Sequence, residues 1–123
     1  MQPCLFQAAV ESGDPGAVRD SLSADTVFSS PAVFSPYRGR DAVATVLAAA
    51  IDVFQDFRYT AQIGEGDHRV LVFEARVGDR KLQGVDILRL DHEGLVAELT
   101  VMLRPLSGLA AMADAMRQRL AAG

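Results

Sequence analysis

From Lys81 to Arg104 the chain is two long alternating runs joined by Asp91-His92-Glu93-Gly94, and one carboxylate, Asp86, falls among the apolar positions of the first run. Period-two alternation marks half-buried strands, and the Asp and Gly of the joining tetrapeptide are the residues a tight hairpin turn requires. A long antiparallel hairpin is expected. Leu82, Gly84, Asp86, Leu88 and Leu90 share its buried face, while Val85, Ile87, Arg89 and Asp91 share the other. An acid among leucines is costly to bury unless something answers it. Asp86 is therefore either a pocket acid, driven toward its protonated form by its apolar surroundings, or a structural acid bonded to a phenol or backbone group, with Tyr37 and Tyr59 the available phenols.

The neighbouring segments extend the sheet. Arg69 to Val77 alternates in the same way and is joined to Lys81 onward by a two-residue Gly78-Asp79 loop. Counting back from that loop sets Val77 opposite Arg80, Phe73 opposite Gly84 and Leu71 opposite Asp86, so a phenyl ring is expected over the glycine. Across the next turn, pairing Leu90 with Leu95 places Leu99 opposite Asp86 and carries Val101 and Leu103 along the same inner wall. Phe57 to Ile63 is a further strand, ended by Gly64-Glu65-Gly66-Asp67.

Helices flank this meander. Leu5, Phe6, Ala9 and Val10 recur at helical spacing, and Gly13-Asp14-Pro15 stops that helix and starts a second, which carries Val18 and Leu22. Thr26 to Ser30 is a short β-type run cut off by Pro31, and Val33-Phe34-Ser35-Pro36-Tyr37 is broken edge strand or loop framing an opening. Val43, Val46, Leu47, Ala50, Ile51 and Phe54 give the clearest helical stripe, and from Leu106 the helical period returns with Leu109, Ala113, Met116 and Leu120.

Composition excludes several classes. A chain of 123 residues is expected to form one domain spanning residues 1–123. The longest apolar run, Val46 to Ile51, falls far short of the ~20 residues that cross a bilayer, so no membrane partner is expected. Net charge is −4 with basic residues scattered, which argues against a nucleic-acid footprint. The N-terminus lacks a secretory pattern and Cys4 stands alone, so the expectation is a reducing cytoplasm. Eleven Arg against one Lys suggest a bacterial source. With one Cys and with His68 and His92 in turns there is no metal-ligand spacing, and Gly64-Glu65-Gly66 has Arg69 where a dinucleotide loop needs its third glycine; neither metal nor cofactor is expected.

This order of elements, with Gly39-Arg40-Asp41-Ala42-Val43 opening the long helix and Gly84 through Asp91 in the penultimate strand, resembles the nuclear transport factor 2-like superfamily, and within it the bacterial SnoaL-like domains. The resemblance runs from about Leu5 to Arg104. It implies an α+β fold, a cone-shaped roll in which a strongly bent, mostly antiparallel sheet carries helices on its concave face. It also allows a comparison with ketosteroid isomerase, in which a Tyr and a protonated Asp hold an enolate oxygen while a second Asp moves the proton. Aligning Gly13-Asp14 and the stretch Gly84 to Gly94 places the oxyanion Asp on Asp86, the Tyr on Phe6 and the base on Ser30. Phe6 has no hydroxyl and Ser30 no basic group, so classical steroid isomerisation is expected to be lost. Limonene-epoxide-hydrolase-like chemistry would put an acid near Val101 and an Arg-x-Asp pair on the strand from Arg69 to Val77; neither is present. SnoaL-type cyclases use a His and an Asp in the pocket, whereas both His residues here lie in turns.

The cone so implied would hold a small apolar ligand, cyclic or aromatic, against Asp86, with Phe6, Ser30, Phe34, Tyr37, Phe54, Phe73, Leu99, Val101 and Leu103 as its lining. Ser30 has no local His or Lys to make it a nucleophile. Three readings stay open: a proton-transfer isomerase or cyclase using Asp86, a ligand-binding protein that needs no base, and a dimerising scaffold with a filled core. A homodimer is expected through the outer sheet face, where Val70, Val72, Val85, Ile87, Val96 and Met102 point away from the helices, with Glu74, Arg76, Arg89, Glu98 and Arg104 as its polar part.

Overall fold

A computed structural model describes residues 3–122. Helix α1 (Leu5–Ser12) ends where Gly13 turns left-handed at φ 73° and returns its N–H to the Val10 carbonyl. Asp14 caps α2 (Pro15–Asp20), its carboxylate accepting from the Gly16 N–H at 2.9 Å with Pro15 in the first turn. Both boundaries follow the local signals. Leu22 does not belong to α2, however, but opens β1 (Leu22–Ser29). Ser21 ends the helix by donating both its N–H and its hydroxyl to the Val18 carbonyl, and its own carbonyl accepts the Val96 N–H at 2.9 Å. The backbone thus leaves the helix directly into a sheet ladder, which lengthens β1 well upstream of Thr26.

A two-residue edge strand β2 (Tyr37–Arg38) pairs with β1, and the Gly39 N–H bonds the Thr26 carbonyl at 2.9 Å as the chain enters α3 (Arg40–Val53). Strands β3 (Gln55–Ile63), β4 (His68–Val77), β5 (Arg80–Leu90) and β6 (Val96–Arg104) then form an antiparallel meander, and α4 (Leu106–Ala122) follows. Because β1 joins β6 in parallel, the sheet order is β2-β1-β6-β5-β4-β3. The result is a mixed α+β fold with one bent, open, six-stranded sheet. Helices α3 and α4 pack on it and on each other, and Arg119 on α4 ties to Asp52 on α3 at 2.9 Å. Among the described residues no helix is long and apolar enough to cross a membrane.

The β4–β5 register matches the sequence reading: Phe73 faces Gly84 and Leu71 faces Asp86. The β5–β6 register differs. The turn closes with Asp91 N–H to Leu95 O at 2.8 Å, Leu90 pairs with Val96, and Arg89 pairs with Glu98, so Ala97 is an extra residue. The turn moves the partner of Leu90 from the expected Leu95 to Val96, and the bulge adds one residue more, which sets Asp86 opposite Val101 and Leu99 opposite Leu88 in place of the expected Asp86–Leu99 pair. The bulge also turns Val96 inward to full burial, so Val96 is core rather than outer face.

Leu71, Leu88 and Leu99 are each about 1% exposed along the inner wall, and burying such side chains is worth roughly 1.5–3 kcal/mol apiece. Gly84 allows the closest approach in that wall. A Cβ there would lie 2.3 Å from the Phe73 ring and 2.5 Å from the Leu103 side chain. Phe73 cannot easily yield, since it packs against Phe57 at a centroid distance of 4.8 Å and against Phe54 at 5.8 Å. Gly84→Ala is expected to lower stability by about 1–3 kcal/mol through overpacking, and Phe73→Leu to restore part of the loss when combined with it. Denaturant titration of the two single variants and the double variant checks this; additive losses would contradict it.

Candidate functional site

Between the sheet and the helices lies a cavity of about 500 Å³. Its walls are apolar: Phe6 and Val10 from α1, Val46, Leu47 and Ile51 from α3, Phe57 from β3, Phe73 from β4, Leu99 and Val101 from β6, and Met112 and Met116 from α4. On β6 alternate residues, Leu99 and Val101, face it, and a polar side chain at an inward position of a strand meets the cavity by the sheet's own period. Two such groups do so. Asp86 on β5, about 6% exposed, accepts the Tyr59 hydroxyl of β3 on Oδ2 at 2.8 Å.

The environment sets the protonation of both. Burial drives the Asp86 carboxyl up to about 7, and the hydrogen bond from Tyr59 opposes this in part. Near neutral pH both forms are present. Burial, and then the neighbouring Asp86 carboxylate, raise the Tyr59 phenol, which stays protonated and can only donate to an ionised Asp86. Tyr59 is the one hydrogen-bond partner of Asp86 among the described residues. The ring of Tyr59 is itself braced edge-on by Phe57 at 5.0 Å and Phe73 at 6.3 Å. As the acid, Asp86 can donate to a carbonyl oxygen; as the carboxylate, it can accept from a hydroxyl.

Most of the residues singled out in the sequence meet here. Phe6, Ser30, Tyr37, Phe54, Phe73, Leu99 and Val101 line the cavity with Asp86. Tyr37 stacks on Phe28 at 6.0 Å, and the Ser30 hydroxyl accepts the Val33 N–H at 3.2 Å. That bond folds the loop back so that Pro31, Ala32 and Val33 face the cavity. Phe34 points outward and is fully exposed, contrary to expectation. Leu103 is also displaced from the site: it lies over Gly84 and packs with Phe73, Leu82 and Met112, which fill that end of the roll. His68 pairs with Asp67 at 2.9 Å, and both His68 and His92 are exposed.

Of the two phenols offered as partners of a structural Asp86, Tyr59 and not Tyr37 makes the bond; as lining residues of the cavity, Tyr59 and Glu11 were not expected. Period-two counting from Phe57 finds Tyr59 on the inner face of β3. Glu11 has a weaker signal, since the position one turn beyond Gln7 on α1 gains meaning only once α1 is seen to border the opening.

A bent mixed sheet wrapped on helices, with an apolar interior broken by one titrating acid, is the NTF2-like cone. Residues 5–99 match the model of the SnoaL-like domain, and the chain belongs to that family. It is 38% identical to a structure described as a steroid delta-isomerase from Pseudomonas aeruginosa, with a TM-score of 0.91 over 95% of this chain and 87% of that one. It is 35% identical to a bacterial protein of cystatin-like fold from Silicibacter pomeroyi DSS-3, with a TM-score of 0.90 over 94% of this chain and 82% of that one. A putative ketosteroid isomerase from Kribbella flavida shares the fold at 17% identity and a TM-score of 0.68, over 82% of this chain and 73% of that one. No curated protein matches the chain.

The Asp86 environment has a consequence for stability. The unfolded chain releases this proton near 3.8 and the folded chain near 7, so between those values the folded state binds more protons. Its contribution to stability must then fall as pH rises from about 4 to about 7 and level off above, by about 4 kcal/mol at most. Asp86→Asn cannot ionise and lacks this slope. Relative to wild type, the variant is expected to gain stability steadily between pH 4 and pH 7, as denaturant titrations at fixed pH would show; parallel pH profiles would contradict the assignment.

Proposed function

We propose that the chain binds a small, apolar, cyclic or aromatic molecule in the cavity and addresses one oxygen of it through Asp86, which Tyr59 holds in place. The observation that carries this reading is the Asp86–Tyr59 hydrogen bond, 2.8 Å long, on the wall of an otherwise apolar cavity of about 500 Å³. Ligand sites have this composition: mostly apolar surface with a few placed polar groups. The scaffold reading requires a filled core and is not favoured by a cavity of that size.

Proton transfer is the second reading, and the Pseudomonas aeruginosa relative described as a steroid delta-isomerase supports it. A protonated Asp86 that donates to a ring ketone would stabilise charge developing on its oxygen, which is how an enolate is reached. The same wall argues against completion of the reaction. Phe6 and Ser30 stand where the isomerase pattern carries a second donor and a base, and the Ser30 hydroxyl is engaged by the Val33 N–H. Binding therefore explains the site with fewer missing parts than turnover does.

The outer sheet face supports a second copy of this chain as partner. Val70, Ile87 and Thr100 form one cross-strand row and Val72, Val85 and Met102 the next, with Ile63 beside Val70. Ile63, Ile87 and Met102 are 58%, 37% and 56% exposed, and apolar surface of this extent is seldom left in water. Arg89–Glu98 at 2.8 Å borders the patch.

Ring ketones and phenols are expected to raise the melting temperature of the wild type, since they bind the native state alone. In Asp86→Ala that response should vanish while the melting temperature of the free protein changes by less than about 5 °C; loss of stability with an unchanged ligand response would refute the site. A Δ5-3-ketosteroid should show no isomerisation above buffer, and turnover would return the base to the pocket. For the outer face, light scattering at micromolar concentration is expected to give the mass of a dimer for wild type and of a monomer for Met102→Asp.

A further inference from the structure

The cavity has a second carboxylate at its border. Glu11, in the last turn of α1, lines it beside Phe6 and Val10 and is exposed to solvent. Its charge reaches the Tyr59 phenol and helps to keep it protonated. Two cations also line the cavity, and each is engaged by an acid of its own. Arg58 pairs with Glu74, and Arg117 pairs with Asp114, which also accepts the Gln118 amide at 3.1 Å. Glu11 forms no ion pair among the described residues. The uncompensated charge around the opening is therefore negative.

The walls suit the apolar part of a ligand. Phe6, Phe28, Tyr37, Phe54 and Phe57 line the cavity with aromatic side chains, apolar surroundings for a ring. An anionic ligand would meet Glu11 and Asp86, with no unpaired cation among the described lining residues to receive it. A neutral ligand would leave Glu11 unused. A ligand with a positive end would satisfy both the apolar interior and the acid at its border.

Resting on the ligand-binding reading above, we infer that the cavity takes a cyclic amine in its protonated form, with the ring in the apolar interior and the ammonium at the mouth against Glu11. The pairing is solvent-exposed, so its effect is modest: exposed ion pairs are worth up to ~1 kcal/mol, a preference of about fivefold.

Calorimetric titration of wild type, Glu11→Gln and Glu11→Arg with naphthalene-methylamine, naphthalene-methanol and naphthoate tests this. These compounds share one ring and differ in charge. The amine is expected to bind wild type about fivefold more tightly than the alcohol, and the naphthoate most weakly. The ratio of amine to alcohol affinity should fall to about one in Glu11→Gln and in about 1 M salt, where an exposed pair is screened, and the order of amine and naphthoate should reverse in Glu11→Arg. Binding of the alcohol with no preference for the amine, or a preference that survives Glu11→Gln, overturns the inference and leaves the ligand-binding reading intact. Tighter binding of the naphthoate than of the alcohol would likewise overturn it, since Arg117 or Arg58 would then have left its acid. If none of the three compounds binds, the ligand-binding reading fails and this inference falls with it.

Discussion

Between Arg89 and Leu90 the ladder of β5 with β6 slips by one residue, leaving Ala97 without a partner on β5. Much of the molecule hangs on that slip. On the turn side of Ala97, Val96 faces inward and pairs with Leu22, where β1 joins the sheet in parallel. Beyond it, Leu99 and Val101 face inward too, opposite Leu88 and Asp86. Without the extra residue, an uninterrupted β6 could not bury both Val96 and Leu99, because side chains three apart on a regular strand lie on opposite faces. The bulge thus serves the core at one end and the cavity wall at the other.

Asp86 is buried at an energetic cost that its single neighbour does not cancel. A carboxylate removed from water needs several hydrogen bonds or a counter-charge to remain ionised, and here Tyr59 supplies one bond. The carboxyl answers by holding its proton to about pH 7. A structural acid would be better served by an arginine or by backbone N–H groups, as Asp91 is by the N–H groups of Glu93 and Leu95 at 2.9 and 3.0 Å in its turn. The contrast between the two acids, one answered by two backbone donors and one left with spare capacity beside a cavity, is the physical basis for proposing a function for Asp86.

The hairpins were legible because their period and turn chemistry are local. The pairing of Phe73 with Gly84 and of Leu71 with Asp86 follows from a two-residue loop and simple counting. The β6 register was not legible, since nothing at Ala97 announces a bulge; only the shared demand of Val96 and Leu99 for burial does so, and that is a property of the assembled core. Leu22 was misplaced for a similar reason, as its helical spacing from Val18 is real but the Val96 N–H captures the Ser21 carbonyl first. At the site, Asp86 stood out as a chemical anomaly in its strand. Phe34 and Leu103 had the right chemistry in the wrong place: a hydroxyl-to-backbone bond within the loop turns one outward, and close packing over Gly84 removes the other from the cavity.

Helix α4 closes the cavity with Met112 and Met116 and packs against β4, β5 and β6. Gly108 lets its first turns press against Leu82 and the Lys81 carbonyl, and Arg119 fastens its far end to α3. The matched family segment, residues 5–99, ends before this helix begins. The strands fix the scaffold, Met112 joins its core, and the outer turns of α4 border the space it encloses. Met116, Arg117 and Leu120 line the cavity and belong to no strand pair, so changes there would recut its border while leaving the ladders of the sheet in place.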